Sequence, residues 1–233
     1  MNEFKVERKV FEKRTLLAIY RLMNKKILKS VESIVKEGKE SIVCVGRNYE
    51  NEILAIKIYR ILYCDFKNMW KYLIGDPRFK RIKKERYDVV INWARREFKN
   101  LKKAFSNDVN CPKPFAVYKN ILVMKFIGKD FVPAPRLVDI KVRNPKEIYK
   151  QIISEMEKLA DIKLIHSDLS PYNILVQNEK IYLIDFSQAI TSSHPLALDF
   201  LERDCKNVNK YFERLGIKIN EKIFDDLKKR YEI

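Results

Sequence analysis

The sequence predicts an α+β protein of two lobes, in which a strand-rich N-terminal part precedes a mainly helical C-terminal part. Short β-branched runs separated by turn residues occupy residues 41–60, a pattern typical of antiparallel strands. Longer segments with helical spacing of apolar residues occupy residues 145–164 and 195–231. The chain passes from one part to the other near Ile127 and Gly128, and we expect a cleft between the two lobes.

The N-terminal elements follow from local patterns. Helical spacing predicts a helix over residues 10–24. The runs SIVCVG and ILAIKIYR predict a strand–turn–strand unit, whereas residues 61–92 are ambiguous because aromatic and basic residues alternate around a Gly75-Asp76-Pro77 turn. An apolar stripe predicts a helix over residues 91–105, which Pro112 and Pro114 would end.

The remaining elements complete the order. The segments FAVYKN and ILVMKFI predict two short strands, and the tail after residue 195 predicts helices broken near Gly216. We therefore expect an N-terminal helical extension over residues 1–26, an N-lobe over 27–127 and a C-lobe over 128–233.

Composition excludes several classes of protein. With 46% hydrophobic residues among 233, the chain is expected to fold rather than remain disordered. No apolar run reaches the ~20 residues that span a bilayer, and the N-terminus lacks the apolar stretch of a signal peptide, so we expect a cytoplasmic protein without a membrane anchor. The scattered cysteines predict free thiols, and two histidines argue against a structural zinc site. These residues are Cys44, Cys64, Cys111, Cys205, His166 and His194.

The charge balance points to a polyanionic partner. The chain has 48 Lys+Arg against 31 Asp+Glu, a net charge of +17. Such a surface attracts nucleic acid or nucleotide phosphates. A solvated lysine-rich surface suited to high temperature is the alternative, and charge does not separate the two.

The strongest chemical signal is the segment HSDLSPYN, residues 166–173, followed by Asp185 in LIDFSQ. Carboxylate and amide oxygens are the ligands that Mg²⁺ and Mn²⁺ prefer when they bind nucleotide phosphates. We expect Asp168 to act as a base or to orient the nucleophile, and Asn173 and Asp185 to hold the metal. A single loop aspartate is usually a turn residue, but this spacing matches the catalytic and metal loops of protein kinases.

A lysine and a glutamate supply the upstream half of that pattern. Lys57 lies in a predicted half-buried strand, where it would share a face with Ala55 and Tyr59 and reach nucleotide phosphates. Glu97 lies on the next firm helix and could form an ion pair with Lys57. Three cations of the same helix compete for Glu97, namely Arg95, Arg96 and Lys99.

A glycine-rich phosphate loop is missing from the sequence. The chain has five glycines and no G-x-G-x-x-G. The candidate phosphate loop is the turn Gly38-Lys39-Glu40-Ser41, whose backbone amides and hydroxyl could contact phosphate. By itself this stretch is indistinguishable from a hairpin turn.

Three segments are the most specific in the chain: HSDLSPYN, IDFSQ and FIGKDFVPAP. Together with AIKIYR, NWARREFKNL and HPLALDFLERD, they resemble the RIO-type atypical serine/threonine protein kinases over residues 38–212, and the RIO1 subfamily most closely. The resemblance implies a trimmed two-lobed kinase fold that binds ATP and a divalent metal in the cleft. It also implies a part in maturation of the small ribosomal subunit.

The resemblance also implies roles for individual residues. It places ATP contacts at the phosphate turn, at Lys57 with Glu97, and at a hinge near Met124 and Ile127 that meets the adenine. Asp168 and Asp185 take catalytic roles, the latter also as a metal ligand with Asn173. One departure is the loop FKRIKKERYDVV, since residues 61–90 contain no Ser or Thr and autophosphorylation on such a residue is not expected there.

Three functions remain open from the sequence. The first is a Ser/Thr kinase that transfers the γ-phosphoryl group of ATP to a protein. The second is an ATPase that drives ribosome assembly and switches through phospho-Asp185, and the third is an RNA-binding module without catalysis. The intact catalytic set argues against the third. A basic N-lobe face is the expected contact with small-subunit precursor RNA and its ribosomal proteins; its residues are Arg78, Lys80, Arg81, Lys83, Lys84, Arg86, Arg95, Arg96, Lys99, Lys102 and Lys103.

Overall fold

The computed structural model describes residues 11–74 and 83–233 and follows the α+β order that the sequence predicts. Its helices are α1 Lys13–Asn24, α2 Phe66–Ile74, α3 Arg86–Phe105, α4 Pro145–Asp161, α5 Ala197–Arg214 and α6 Ile223–Tyr231. Its strands are β1 Ser30–Glu37, β2 Ser41–Arg47, β3 Ile53–Tyr59, β4 Pro114–Tyr118, β5 Ile121–Lys125, β6 Gly128–Lys129, β7 Val132–Pro133, β8 Leu164–Ile165, β9 Ile174–Gln177, β10 Lys180–Leu183 and β11 Ile190–Thr191.

The described residues fall into two units. The first contains residues 11–73, residues 83–96 and Pro114–Phe126, and the second contains Glu97–Lys113 and Ile127–Ile233. Helix α3 therefore begins in the first unit and ends in the second. The division into the three predicted segments 1–26, 27–127 and 128–233 stays a prediction.

An antiparallel sheet organises the first unit. Its strand order is β1-β2-β3-β5-β4, which places β3 in the centre. Helix α1 packs Ala18, Ile19 and Leu22 onto one face of this sheet, against the buried side chains Ile56 and Val123. Burial of these apolar groups is the main stabilising term for the unit, at ~25 cal/mol per Å² removed from water. The helix and the strands predicted here are confirmed.

Residues 61–92, which were ambiguous in the sequence, contain helix α2. Helix α2 starts where the Asp65 carboxylate accepts a hydrogen bond from the Asn68 N–H at 3.1 Å. Its Met69 and Leu73 are buried, while Phe66 and Trp70 stack one turn apart with ring centroids 6.4 Å apart. Because Phe66 and Trp70 are half-buried, apolar residues are not confined to one narrow stripe of α2, and the helical pattern is weak in the sequence. The predicted turn at residues 75–77 lies outside the described residues.

Helices dominate the second unit. Pro145 opens α4 after Asn144, whose side chain accepts a hydrogen bond from the Glu147 N–H, an N-cap arrangement. Gly216 adopts a φ of +72° between α5 and α6, a conformation that glycine adopts with little strain. The predicted break in the C-terminal tail is thereby confirmed. At the end of α6 the Tyr231 hydroxyl donates to the Leu164 carbonyl oxygen at 2.7 Å, fixing that helix to β8.

The four cysteines are free, as predicted, and all four are buried. Burial raises the pKa of the Cys111 and Cys205 thiols to about 12, so both remain protonated near neutral pH. Over the described parts of the chain, no helix combines the length and apolarity that a bilayer crossing requires.

Candidate functional site

The loop after β8 brings Asp168 and Asn173 together in the second unit. A short 3-10 helix, Pro171–Asn173, returns the chain toward Asp168. The Asn173 amide nitrogen donates to the Asp168 carbonyl oxygen at 2.8 Å and to its carboxylate Oδ2 at 3.0 Å. Because the nitrogen is used in these bonds, the Asn173 amide oxygen is the atom available to a cation. The catalytic role of Asp168 and the metal-binding role of Asn173 stay predictions.

Asp185 lies directly beside this loop. The Ile184 N–H donates to the Asn173 carbonyl oxygen at 3.0 Å. Asp185 itself adopts a left-handed φ of 65°, and its Oδ1 accepts a 2.7 Å hydrogen bond from the Ser187 hydroxyl. Asp residues adopt this conformation more readily than most others. The two loops thus present two carboxylates and one amide oxygen in the same region of the unit.

This donor set suits Mg²⁺ better than a transition metal. Mg²⁺ is usually held by one or two carboxylates together with phosphate oxygens and waters. Among the described residues, no group of three or more His, Cys, Asp or Glu side chains could hold a metal ion. A site built from Asp185 and Asn173 would therefore depend on nucleotide phosphates to complete the coordination.

Helix α5 holds the Asp168 loop through a carboxylate that the sequence did not reveal. The buried Asp204 accepts hydrogen bonds from the backbone N–H groups of Ser167 at 2.8 Å and Leu169 at 2.9 Å. On the same helix, Asn207 donates to the Leu169 carbonyl oxygen at 3.1 Å, and the Arg203 guanidinium donates to the Ser167 carbonyl oxygen. We call Arg203, Asp204 and Asn207 the α5 clamp. The signal that could have revealed it is a carboxylate at a buried position of an amphipathic helix.

The Asp185 loop is supported from a second helix. Asn100, fully buried on α3, donates from its amide nitrogen to the carbonyl oxygens of Phe186 at 2.9 Å and Ala189 at 2.8 Å. The His166 ring lies 4.9 Å from the Phe186 ring and within 3.1 Å of the Ile184 carbonyl oxygen through Nε2. Side chains from distant parts of the sequence therefore fix the backbone on both sides of Asp185.

Replacing Asp204 with Asn should weaken the α5 clamp without changing its size. The Asn keeps one acceptor oxygen but turns an NH₂ group toward a backbone N–H, so one buried donor loses its partner. We expect unfolding to become easier by about 1–3 kcal/mol, with a lower kcat for phosphoryl transfer and a nearly unchanged KM for ATP. Denaturant titration and initial rates would measure both, with the exposed Asp199→Asn on the same helix as control. A loss of stability without any change in kcat would contradict the positioning role.

The same carboxyl predicts how stability changes with pH. Burial raises the pKa of Asp204 to about 7 from its ordinary value of 3.8. Between these values the folded state holds a proton that the unfolded state releases, so this group's contribution to stability decreases as pH rises from about 4 to about 7. The Asp204→Asn variant should lack this decrease in the free energy of unfolding.

Lys57 occupies the centre of the sheet in the first unit. It faces Val43 on β2 and Leu122 on β5. The side chain is buried, and its ammonium nitrogen lies 5.1 Å from the ring centroid of Tyr59. Lys57 lies beside Tyr59 as predicted, but β3 is buried on both faces rather than half-buried. Glu97 is buried as well but belongs to the second unit, and its ion pair with Lys57 stays a prediction.

The predicted phosphate loop forms a tight turn between β1 and β2. The Gly38 N–H donates to the Ser41 carbonyl oxygen at 2.9 Å, and a Cβ on Gly38 would lie 3.2 Å from that oxygen. The turn is also held from outside, because the Arg60 N–H donates to the Glu40 carbonyl oxygen at 2.8 Å. It is a hairpin turn with defined geometry, and its contact with ATP through Gly38, Lys39, Glu40 and Ser41 stays a prediction.

The predicted adenine-binding hinge follows β5. Met124, within that strand, pairs with Ala55 of β3. Ile127 is buried, and its carbonyl oxygen accepts a hydrogen bond from the Ala134 N–H at 3.0 Å. The contact of Met124 and Ile127 with the adenine ring stays a prediction.

One member of the predicted basic face is placed elsewhere. Arg96 is 0% exposed, and its guanidinium carbon lies 5.3 Å from the Tyr72 ring centroid and 5.1 Å from that of Trp93. The prediction that it faces RNA was wrong, because Arg96 lies on the side of α3 that packs inward. Of the other members, Lys83, Lys84, Arg86, Arg95, Lys99 and Lys102 are exposed and Lys103 is half-buried, while Arg78, Lys80 and Arg81 lie outside the described residues. The prediction of a face confined to the N-lobe was also wrong, because Lys99, Lys102 and Lys103 belong to the second unit.

Comparison with known proteins shows which family of proteins this chain is similar to. A family model described as RIO1, the RIO domain, matches residues 42–224. The RIO-type serine/threonine-protein kinase Rio1 of Haloferax volcanii is 40% identical over 92% of this chain and 74% of its own length. Rio1 of Methanocaldococcus jannaschii is also 40% identical, over 95% and 76% of the two chains. Human RIO1 is 35% identical over 90% of this chain but only 38% of its own length.

Solved structures agree with the fold. Rio2 kinase from Chaetomium thermophilum, solved as an ADP/Mg²⁺–phosphoaspartate complex, superposes with a TM-score of 0.73 at 23% identity, over 93% of this chain and 66% of that chain. A second structure of the same Rio2 kinase gives a TM-score of 0.74 over 93% and 67%. The predicted α+β kinase-like fold is confirmed, and its strand-rich part is a five-stranded antiparallel sheet.

Proposed function

The chain belongs to the RIO family of atypical serine/threonine protein kinases, and from this premise we propose that it transfers the γ-phosphoryl group of ATP during maturation of the small ribosomal subunit in the cytoplasm. The observation that carries the proposal is the convergence of Asp168, Asn173 and Asp185 on two adjoining loops. Positioning and charge stabilisation are the main requirements of phosphoryl transfer, and these loops supply both.

Each residue then has a distinct task. Asp168 orients the attacking hydroxyl and accepts its proton, while Lys57 neutralises phosphate charge and Glu97 orients Lys57. Asn173 and Asp185 would hold Mg²⁺, which neutralises the phosphate oxygens when bound. Two further groups would contact ATP: the turn amides of Gly38, Lys39, Glu40 and Ser41, and, around the adenine, Met124 and Ile127.

A second function is favoured by the phosphoaspartate in the Rio2 neighbour. In an ATPase cycle, an Asp185 carboxylate oxygen would attack the γ-phosphorus, and the bond to ADP would break. Water would then hydrolyse the acyl phosphate and restore the carboxylate. The chain would act as an assembly factor whose release from the precursor follows this hydrolysis, with little transfer to other proteins.

A single-turnover experiment separates the two functions. The chain is mixed with γ-labelled ATP and Mg²⁺, with and without small-subunit precursor, and label is followed in protein and in free phosphate. The kinase function predicts stable label on Ser or Thr of an added protein. The ATPase function predicts free phosphate without any acceptor, together with label on this chain that hydroxylamine removes, since hydroxylamine cleaves acyl phosphates but not phosphoserine. Robust transfer to an added protein with negligible hydrolysis would contradict the ATPase cycle, and no turnover of either kind would contradict both.

The partner proposed for either function is small-subunit precursor RNA with its ribosomal proteins. The exposed cations Arg95, Lys99 and Lys102 support it, because neutralising phosphates with Lys and Arg releases counterions and gives salt-dependent binding. The three residues are spaced i, i+4 and i+7 along α3, and side chains with this spacing lie on one side of a helix.

A further inference from the structure

The outward side of α1 is exposed and contributes no residue to the candidate catalytic site, although Arg14 on it also lies over the Tyr87 ring of α3. At 3.6 residues per turn, six exposed positions of this helix fall within about 120° of its circumference. We call them the α1 face. They are Lys13, Arg14, Leu17, Tyr20, Arg21 and Asn24.

The helix cannot turn this face inward, because its opposite side is fixed in the core. Ala18, Ile19 and Leu22 are buried against the sheet. Thr15 is also buried, and its hydroxyl oxygen accepts a hydrogen bond from the Asn120 amide nitrogen at 3.0 Å. The α1 face is therefore a preorganised surface on the first unit, and binding to it requires no ordering of the helix.

Its charge is of a single sign. The twelve residues of α1, KRTLLAIYRLMN, contain three cations and no carboxylate. Lys13 and Arg21 are eight residues apart, about 12 Å along the axis at 1.5 Å per residue. The exposed residues Lys25 and Lys26 follow the helix and extend the positive charge.

An aromatic and an aliphatic side chain lie among these cations in an unusually exposed setting. Tyr20 is 60% exposed and Leu17 is 59% exposed. Proteins that bind single-stranded nucleic acid combine basic side chains that follow the backbone with aromatic rings on which bases stack. The α1 face has both parts of this arrangement, on one rigid helix.

We propose that the α1 face binds a single-stranded segment of RNA, with a base stacked on Tyr20 and phosphates on Lys13 and Arg21. The inference rests on the proposed ribosomal function and names a contact for its RNA partner beyond the cations of α3. A membrane would need a broad apolar stripe on the exposed side of the helix. A partner helix usually needs apolar anchors at several turns. Two apolar residues, Leu17 and Tyr20, provide neither.

The test measures binding of a labelled single-stranded oligoadenylate of about ten nucleotides by fluorescence anisotropy at several salt concentrations. Tyr20→Ala should weaken binding about 5- to 150-fold, whereas Tyr20→Phe, which keeps the ring, should bind like the unaltered chain. In Lys13→Gln/Arg21→Gln, the plot of log affinity against log salt should become shallower by about 1.4. Arg14 is left unaltered, because its guanidinium lies 4.9 Å over the Tyr87 ring.

Two controls make the outcomes distinguishable. Lys210→Gln/Lys229→Gln removes the same charge from exposed positions of α5 and α6, and should leave the salt slope unchanged. Arg95→Gln/Lys102→Gln tests the α3 cations of the proposed function. Thermal unfolding and phosphoryl transfer should be unchanged in the α1 variants, since none of these residues belongs to the candidate catalytic site.

Each remaining outcome overturns a specific claim. Weaker binding by the α3 variant with normal binding by both α1 variants would overturn the α1 proposal and leave the RNA partner in place. Base stacking on Tyr20 would be overturned if Tyr20→Ala and Tyr20→Phe lost the same amount of RNA affinity. It would also be overturned if Tyr20→Ala lost as much affinity for duplex RNA of the same length as for the single strand. Failure of the unaltered chain to bind RNA at all would overturn both the α1 proposal and the RNA partner, without affecting the catalytic assignment.

Discussion

Asp168→Ala should abolish phosphoryl transfer while nucleotide binding persists. Removing a positioned general base typically lowers the rate by about 10²–10⁴-fold. The loop should keep its shape, because the Asn173 amide nitrogen also donates to the Asp168 backbone carbonyl oxygen at 2.8 Å, a bond that the substitution leaves intact. Transfer of γ-label in single-turnover reactions measures the rate, and displacement of a fluorescent ATP analogue measures binding.

The matched control for this variant is Asp225→Ala, which removes an exposed carboxylate from α6. It should transfer phosphate at the rate of the unaltered chain. Equal transfer by Asp168→Ala and the control would refute the assignment of Asp168. If Asp168→Ala loses both nucleotide binding and phosphoryl transfer, the substitution has disrupted the loop.

Asp185→Asn should remove the response to Mg²⁺ and prevent any phosphoaspartate from forming. Asn tolerates the left-handed φ of 65° at this position, and its amide oxygen can still accept the hydrogen bond from the Ser187 hydroxyl. The substitution therefore removes one negative charge with little change in backbone. We expect the variant to bind nucleotide with the same affinity in the presence of a metal chelator and in millimolar Mg²⁺. We also expect its turnover of ATP to fall below detection.

Asp130→Asn is the control for the loss of one negative charge and for the same substitution at a left-handed backbone position. Asp130 is an exposed aspartate with a φ of 49°, so the same substitution is made in the same backbone region. This variant should keep the full Mg²⁺ response. If Asp185→Asn binds nucleotide with an unchanged Mg²⁺ dependence, Asp185 is not a metal ligand.

The local motif identified the candidate site residues but not the residues that hold their loops in place. Asp168 and Asn173 are five residues apart, so spacing alone indicates that they meet. Asp204 and Asn100 bind backbone groups 35 to 89 residues away. Backbone N–H and C=O groups are the same at every position, so no sequence motif marks the partner of such a bond.

Burial was harder to predict on α3 than on β3. Lys57 lies in a strand whose neighbours are all apolar, and that context alone indicates a central position. Arg96 lies in a helix where cations occur on all sides, so the charge pattern does not reveal which of them faces the interior. The rings of Tyr72 and Trp93, against which Arg96 packs, explain why a guanidinium is tolerated there.

The α5 clamp also bears on how this protein can diverge. Its bonds to Ser167 and Leu169 all end on main-chain atoms, so they place no demand on which side chains the loop carries. Substitution is constrained instead at Arg203, Asp204 and Asn207. Within the loop, variation is limited separately, because Ser167 and Leu169 are buried and Ser167 adopts a left-handed φ of 64°. The path of the loop and the identity of its side chains are thus under different constraints, one set by α5 and the other by local burial.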